Sequence, residues 1–147
     1  MCIANEEFVQ GELAHIKELV SRYELDGLWL DGMHPPMLCH CAGCLRHFRA
    51  KGINPNDARV QYEYKLGLLF SFYQRIHQVV KETRPGCKVT PQSQATFGLG
   101  DRTAVLDSSD HESLFTDPTL TRYGYYYYAT AVKYARGFGI PTSGLTT

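Results

Sequence analysis

The stretch Asp26-Gly27-Leu28-Trp29-Leu30-Asp31-Gly32 decides the fold class. Gly27 to Leu30 reads as a short, wholly apolar strand closed by Asp31-Gly32, and strands apolar on both faces belong to buried parallel sheets. Asp31 then stands where the strand meets its loop. In a parallel (β/α) barrel, that carboxyl end is the face on which active sites form.

Working outward, the flanking segments supply helices. Asn5 is a good N-cap, Glu6 and Glu7 suit the positive end of a helix dipole, and Val9, Leu13, Ile16 and Val20 recur on one face, so a helix is expected up to about Tyr23. His34-Pro35-Pro36 breaks any helix, which leaves a loop from Gly32 to about His40. A short helix through Leu45, Phe48 and Arg49 should stop at Lys51-Gly52. Asn56 or Asp57 can cap a long helix from about Ala58 to Thr83, with Val60, Tyr64, Leu68, Phe72, Ile76 and Val79 or Val80 on its buried face and Pro85-Gly86 ending it.

Cys87 to Thr90 reads as the next strand, Pro91 to Arg102 as a polar loop, and part of Ser108 to Leu114 as a weaker strand. Tyr123 to Gly137 suits a helix, and Pro141 to Thr146 begins another strand. The order is helix, strand, helix, strand, short strand, helix, strand, which is a βα repeat. No glycine-rich phosphate loop follows any strand, which counts against a nucleotide-binding doubly wound sheet. The fold class expected is α/β, as a partial (β/α)8 barrel of parallel strands with flanking helices. Residues 1–147 would form an incomplete catalytic domain of four or five βα units, because a closed barrel needs roughly 250 residues.

Composition narrows the function classes. Hydrophobic residues make up 44% and charged residues 20%, an ordinary globular balance. Fifteen basic and fifteen acidic residues cancel without long runs, which gives no electrostatic case for a nucleic-acid or anionic-membrane partner. The first twenty residues carry four glutamates and no apolar run, so neither a signal peptide nor a membrane span is expected there. Cytoplasmic placement is the favoured reading of an otherwise unknown location.

Cys39, Cys41 and Cys44 crowd into six residues, and a metal is the natural alternative to disulfides at that spacing. A tetrahedral zinc site needs a fourth ligand, for which Cys2 is the first candidate, expected at the end of a strand preceding the first helix. His40 or His47 could replace it, and a metal-free thiol cluster or a disulfide with a spare thiol is the plainer alternative. Cys87 reads as a small buried apolar residue. His15 and His77 read as surface or half-buried residues, and Tyr125 to Tyr128 as part of a packed helix.

The run from Tyr23 to Phe48, with Trp-x-Asp-Gly and then Cys-x-Cys-x-x-Cys-x-x-x-Phe, resembles a group of glycoside hydrolases distantly similar to the α-L-fucosidases of glycoside hydrolase family 29. Asp110-His-Glu-Ser-Leu114, Phe138-Gly-Ile-Pro141 and Gly144-Leu-Thr146 resemble later strands of the same barrels, and the whole chain looks like an internal piece of one. The resemblance implies that Asp31 is the catalytic nucleophile of a retaining glycosidase. A second carboxyl group would then lie about 5 to 5.5 Å away to protonate the leaving oxygen. Glu112 is the preferred partner and Asp110 the second choice. A solvated acidic loop is the competing reading for both, together with Asp107.

The cysteine loop also resembles that of family 42 β-galactosidases, some of which bind zinc with a distant fourth cysteine. This supports Cys2, Cys39, Cys41 and Cys44 as a structural zinc set. Trp29, His34, Gln92 and Gln94 are the candidates for contacts to a carbohydrate substrate, and no organic cofactor is expected. The piece alone is expected to be inactive, with the remainder of the barrel, or self-association through open sheet edges, as its partner. Two other readings stay open. One is a non-catalytic carbohydrate-binding or structural barrel piece. The other is a metal-dependent hydrolase using Asp31, His34 and His111.

Overall fold

The computed structural model describes residues 2–31, 39–91, 107, 109–113, 133, 136–137, 139 and 141–146. These hold three helices and four strands: α1 (Glu6–Arg22), β1 (Gly27–Leu30), α2 (Ala42–Lys51), α3 (Ala58–Thr83), β2 (Lys88–Pro91), β3 (Ser109–Ser113) and β4 (Thr142–Thr146). The chain forms two compact units. One comprises Met1–Glu24 with Pro35–Pro85, and the other Leu25–His34 with Gly86–Thr147.

The first unit is helical, and its helices begin and end for local reasons. Asn5 Oδ1 accepts the Glu7 N–H at 3.1 Å to open α1. Of the two residues that could cap α3, Asp57 does so, accepting from Arg59 N–H at 3.0 Å and Val60 N–H at 3.1 Å. Gly52 closes α2 at φ 63, a left-handed conformation that glycine adopts without the usual Cβ penalty. Its N–H donates to the Arg49 carbonyl at 3.2 Å while the Ile53 N–H donates to Phe48 at 2.8 Å.

α1 packs on α3, and apolar burial holds the pair. Val9, Leu13 and Val20 are buried on α1; Leu66, Leu69, Phe72, Tyr73, Ile76 and Val80 are buried on α3. Burial also pushes the Tyr73 hydroxyl pKa up. Arg84, just beyond α3, donates from Nε to the Val20 carbonyl at 3.2 Å.

The buried stripe of α3 corrects the face read from its apolar period. Val60, Tyr64 and Leu68 are only half-buried, whereas Gln61 and Lys65 are buried at 1% and 7% exposure. The N-terminal half of the helix is thus turned by one position, because two polar side chains occupy core places that a hydrophobicity pattern assigns to solvent.

The second unit holds the strands. β1 pairs parallel with β2, from Gly27 opposite Lys88 to Leu30 opposite Pro91. β3 pairs parallel with β4, from Ser109 opposite Thr142 to Ser113 opposite Thr146. Parallel neighbours need a crossover, and the chain between β1 and β2 carries α2 and α3. Between β3 and β4, Lys133, Arg136 and Gly137 are helical, while the rest of the helix expected over 123–137, its tyrosine run included, lies outside the described residues.

Gly27 lies close against β2: a Cβ there would sit 3.2 Å from the Lys88 carbonyl oxygen, so any larger residue needs the strand to give by a few tenths of an ångström. Asp107 braces β2 from outside the ladder. Its carboxylate accepts the Val89 N–H at 2.8 Å, and its own N–H donates to the Val89 carbonyl at 3.3 Å. Cys87 is fully buried, as its reading as a small apolar residue requires. β1 does not match its expected burial: Gly27 and Trp29 are exposed and Leu28 and Leu30 half-buried. An apolar run signals strand, but its burial depends on what covers it.

One long-range ion pair ties the first turn of α1 to α3. Arg75 donates from Nη2 to Glu6 Oε1 at 2.7 Å and from Nη1 to Oε2 at 3.0 Å. The guanidinium, with help from Gln10, holds the Glu6 carboxyl below its ordinary value of 4.5. A depressed carboxylate pKa contributes stability that is present above the unfolded-state value and lost as pH falls through the folded-state value. Glu6→Gln should therefore lower stability at neutral pH, and the difference from the parent should vanish in urea titrations carried out below the carboxylate range.

Candidate metal centre

Four sulfurs converge in the helical unit. The Sγ atoms of Cys2, Cys39, Cys41 and Cys44 all lie within 4.8 Å of one another, with Cys2 and Cys44 at 3.6 Å. Zinc–sulfur bonds of about 2.3 Å in a tetrahedron set sulfurs about 3.8 Å apart, so the cluster needs little adjustment to close on one ion. No disulfide joins any of them.

Each sulfur is positioned by a different local device. Cys2 opens a turn in which the Asn5 N–H donates to the Cys2 carbonyl at 2.9 Å, and Ala4 N–H points at the Cys2 sulfur at 3.5 Å. That turn presses against the first turn of α2 at Gly43, where a Cβ would meet the Ala4 carbonyl oxygen at 3.2 Å. Cys41 is the N-cap residue of α2, and Cys44 is buried on the same helix with Phe48. Cys39 is held through its backbone: its N–H donates to the Gln61 Oε1 at 3.0 Å, while Gln61 Nε2 donates to the Pro55 carbonyl.

The electrostatics of the metal-free cluster are those of one thiolate among thiols. The Cys44 N–H at the start of α2 draws the Cys41 pKa down to about 6, although the contact is too open to be a regular cap hydrogen bond. Hydrogen bonds from the Cys39, Cys44 and Cys2 thiols lower it further. Burial pushes Cys44 and Cys2 the other way. A divalent cation would take the place of the shared protons and stabilise all four thiolates together.

The two histidines that stood as alternatives to Cys2 are occupied elsewhere. His40 Nε2 lies 3.4 Å from Asn56 Oδ1, and His47 stacks on Tyr64 with ring centroids 4.0 Å apart. Phe48 meets the same Tyr64 ring edge-on at 5.3 Å. Burial raises the Tyr64 pKa, and negative charge on the neighbouring sulfur cluster adds to it, so this aromatic group stands beside the sulfurs as an apolar wall.

The catalytic candidates fall in the strand-bearing unit. Asp31 immediately follows β1 and is exposed, two residues beyond Trp29, which is 46% exposed. Asp110 and Glu112 are both β3 residues, opposite Ser143 and Leu145 of β4. His34, Gln92 and Gln94 lie outside the described residues. Gln61 is the site residue that sequence reasoning missed. Its position eight residues before Leu69 on the buried stripe of α3 was the available signal.

Gln61→Leu would leave the Cys39 N–H and the Pro55 carbonyl without their partner in a half-buried place, at a cost of about 1 to 2 kcal/mol. Denaturant unfolding should show this loss as a lower midpoint with an unchanged slope.

No protein-family model matches the chain, and no curated protein sequence matches it. Among solved structures it is similar to α-L-fucosidase isoenzyme 2 from Paenibacillus thiaminolyticus, with a TM-score of 0.79 and 22% sequence identity. The match covers 99% of this chain and 21% of that one, so the chain spans about a fifth of the length of the protein it resembles. At this identity the likeness is one of fold, a mixed architecture of helices and parallel strands.

Proposed function

We propose that the chain is part of a (β/α)-barrel glycoside hydrolase, with Asp31 as the nucleophile of a retaining mechanism and zinc as a staple for the cysteine loop. The fold likeness to an α-L-fucosidase over 99% of the chain carries this reading. Asp31 follows the carboxyl end of a parallel strand, the kind of position that supports this assignment. An α-L-fucoside is accordingly the first substrate to test. In this scheme the Asp31 carboxylate attacks the anomeric carbon while Glu112, or failing it Asp110, protonates the departing oxygen; the same residue then deprotonates the water that releases the sugar.

The described residues hold four strands, fewer than a closed barrel needs, so in this reading turnover belongs to a polypeptide that brings the remaining strands. In that setting Asp31→Asn should abolish hydrolysis of an aryl α-L-fucoside, with azide restoring turnover as the glycosyl azide. Retained hydrolysis would remove Asp31 from the nucleophile role. Glu112→Gln should slow an unactivated fucoside by about 10²- to 10⁴-fold, the range for losing general acid catalysis, and Asp110→Asn much less. The opposite order would exchange their roles.

The exposure of Trp29, at 46%, favours one further reading, in which the strand end binds carbohydrate without cleaving it. Its indole face would stack on a sugar, and Trp29→Ala would then remove binding that Asp31→Asn leaves intact.

The donor set fits zinc on its own chemistry. Four thiolates would close a tetrahedral site and leave no open position, so a bound ion would supply folding energy and take no part in the reaction. One equivalent of zinc should bind the reduced chain tightly, and chelation should lower its thermal midpoint. Cys39→Ser should weaken binding. A reduced chain that takes up no zinc in equilibrium dialysis would dispose of the staple.

A further inference from the structure

We propose that Cys2 and Cys44 form an oxidation site, at which a hydroperoxide joins the N-terminal turn to α2 through a disulfide and thereby withdraws two of the four sulfurs from any metal. The inference concerns the same cluster as the zinc reading but stands on the metal-free geometry alone.

The two sulfurs are 3.6 Å apart, and an S–S bond of about 2.03 Å requires them to close by only about 1.6 Å. The freedom to move lies on one side. Cys44 is fixed in α2 and fully buried, whereas Cys2 stands in a turn ahead of α1. Cys41 is the N-cap residue of α2, where its carbonyl accepts the Leu45 N–H at 2.9 Å to begin the helix ladder, whereas the Cys2 carbonyl accepts the Asn5 N–H at 2.9 Å in an isolated turn. Cys39 is tethered through its N–H to Gln61, and a bond from it to Cys41 would close a ring through a single intervening residue.

Exposure sets the order of events. Within the Cys2–Cys44 pair, Cys2 is half-buried, as Cys39 and Cys41 are, and within reach of a small oxidant, while Cys44 is screened from it. The Cys2 sulfur attacks the near oxygen of the peroxide, the O–O bond breaks, and Cys2 becomes a sulfenic acid as the leaving oxygen departs as water or alcohol. Cys44 then attacks the Cys2 sulfur, the S–O bond breaks, and the hydroxyl leaves as water with the Cys44 proton. Two thiols and one hydroperoxide give one disulfide, one water and one water or alcohol. The two electrons lost by sulfur reduce the O–O bond.

The disulfide would leave Cys39 and Cys41 as a two-sulfur remnant, insufficient for a closed tetrahedral site. It would also close a loop of more than forty residues, from the N-terminal turn to the first turn of α2, so oxidation would trade a metal cross-link for a covalent one at the same place.

The test treats the reduced, metal-free chain with one equivalent of hydrogen peroxide, blocks remaining thiols by alkylation, and maps peptides without reduction. The expected product links the peptide containing Cys2 to that containing Cys44, with Cys39 and Cys41 alkylated. It should be lost in Cys2→Ser and restored to dithiol by a reducing agent. Predominant linkage among Cys39, Cys41 and Cys44, or oxidation confined to unlinked sulfinic acids, would overturn the proposal. A parallel arm loads zinc first. Slower linkage accompanied by zinc release supports both readings, whereas a chain that takes up no zinc yet forms the Cys2–Cys44 link rejects the staple and upholds the oxidation site.

Discussion

The cysteine loop depends on one buried amide. Gln61 is 1% exposed on α3, and its side chain satisfies the Cys39 N–H on one side and the Pro55 carbonyl on the other. A buried amide with its hydrogen bonds made stabilises modestly; the same amide with its partners removed leaves polar groups stranded away from water. This asymmetry makes Gln61 a determinant of geometry more than of stability. It fixes where the chain enters α2, and hence where the Cys39, Cys41 and Cys44 sulfurs can meet.

The two units are stabilised by different physics. In the helical unit, apolar side chains from α1 and α3 are removed from water together, with Tyr73, Ile76, Val80 and Val20 almost wholly buried. α2 contributes only Cys44 and Phe48 to burial, too little apolar area to hold a ten-residue helix by itself. The Gly43–Ala4 approach and the Phe48–Tyr64–His47 aromatic group add further contacts to it. The strand-bearing unit relies on backbone ladders and on Asp107, which offers Val89 both a donor and an acceptor.

A metal staple therefore suits the place where it is proposed. Shared thiol protons hold one negative charge in the reduced cluster, and the pull of burial on Cys44 and Cys2 opposes further ionisation. A cation would resolve that opposition. An oxidant would resolve it differently, by removing two of the ionisable groups. Both outcomes tie the N-terminal turn to α2.

Local signals in the sequence determined the elements: Asn5 and Asp57 as caps, Gly52 as a helix stop, and the apolar run at Gly27–Leu30 as a strand, each acting within a few residues. The crowding of Cys39, Cys41 and Cys44 was equally legible, as was the placement of Asp31 just past a strand. Only the tertiary structure decided that Cys2 joins those three sulfurs from a turn, that Gln61 and Lys65 take core positions in place of Val60 and Tyr64, and that Trp29 stays exposed. The physical reason is common to all three. Caps and turns are settled by backbone hydrogen bonds between near neighbours, whereas burial and sulfur convergence depend on residues tens of positions apart, whose meeting is set by packing and leaves no periodic mark in the chain.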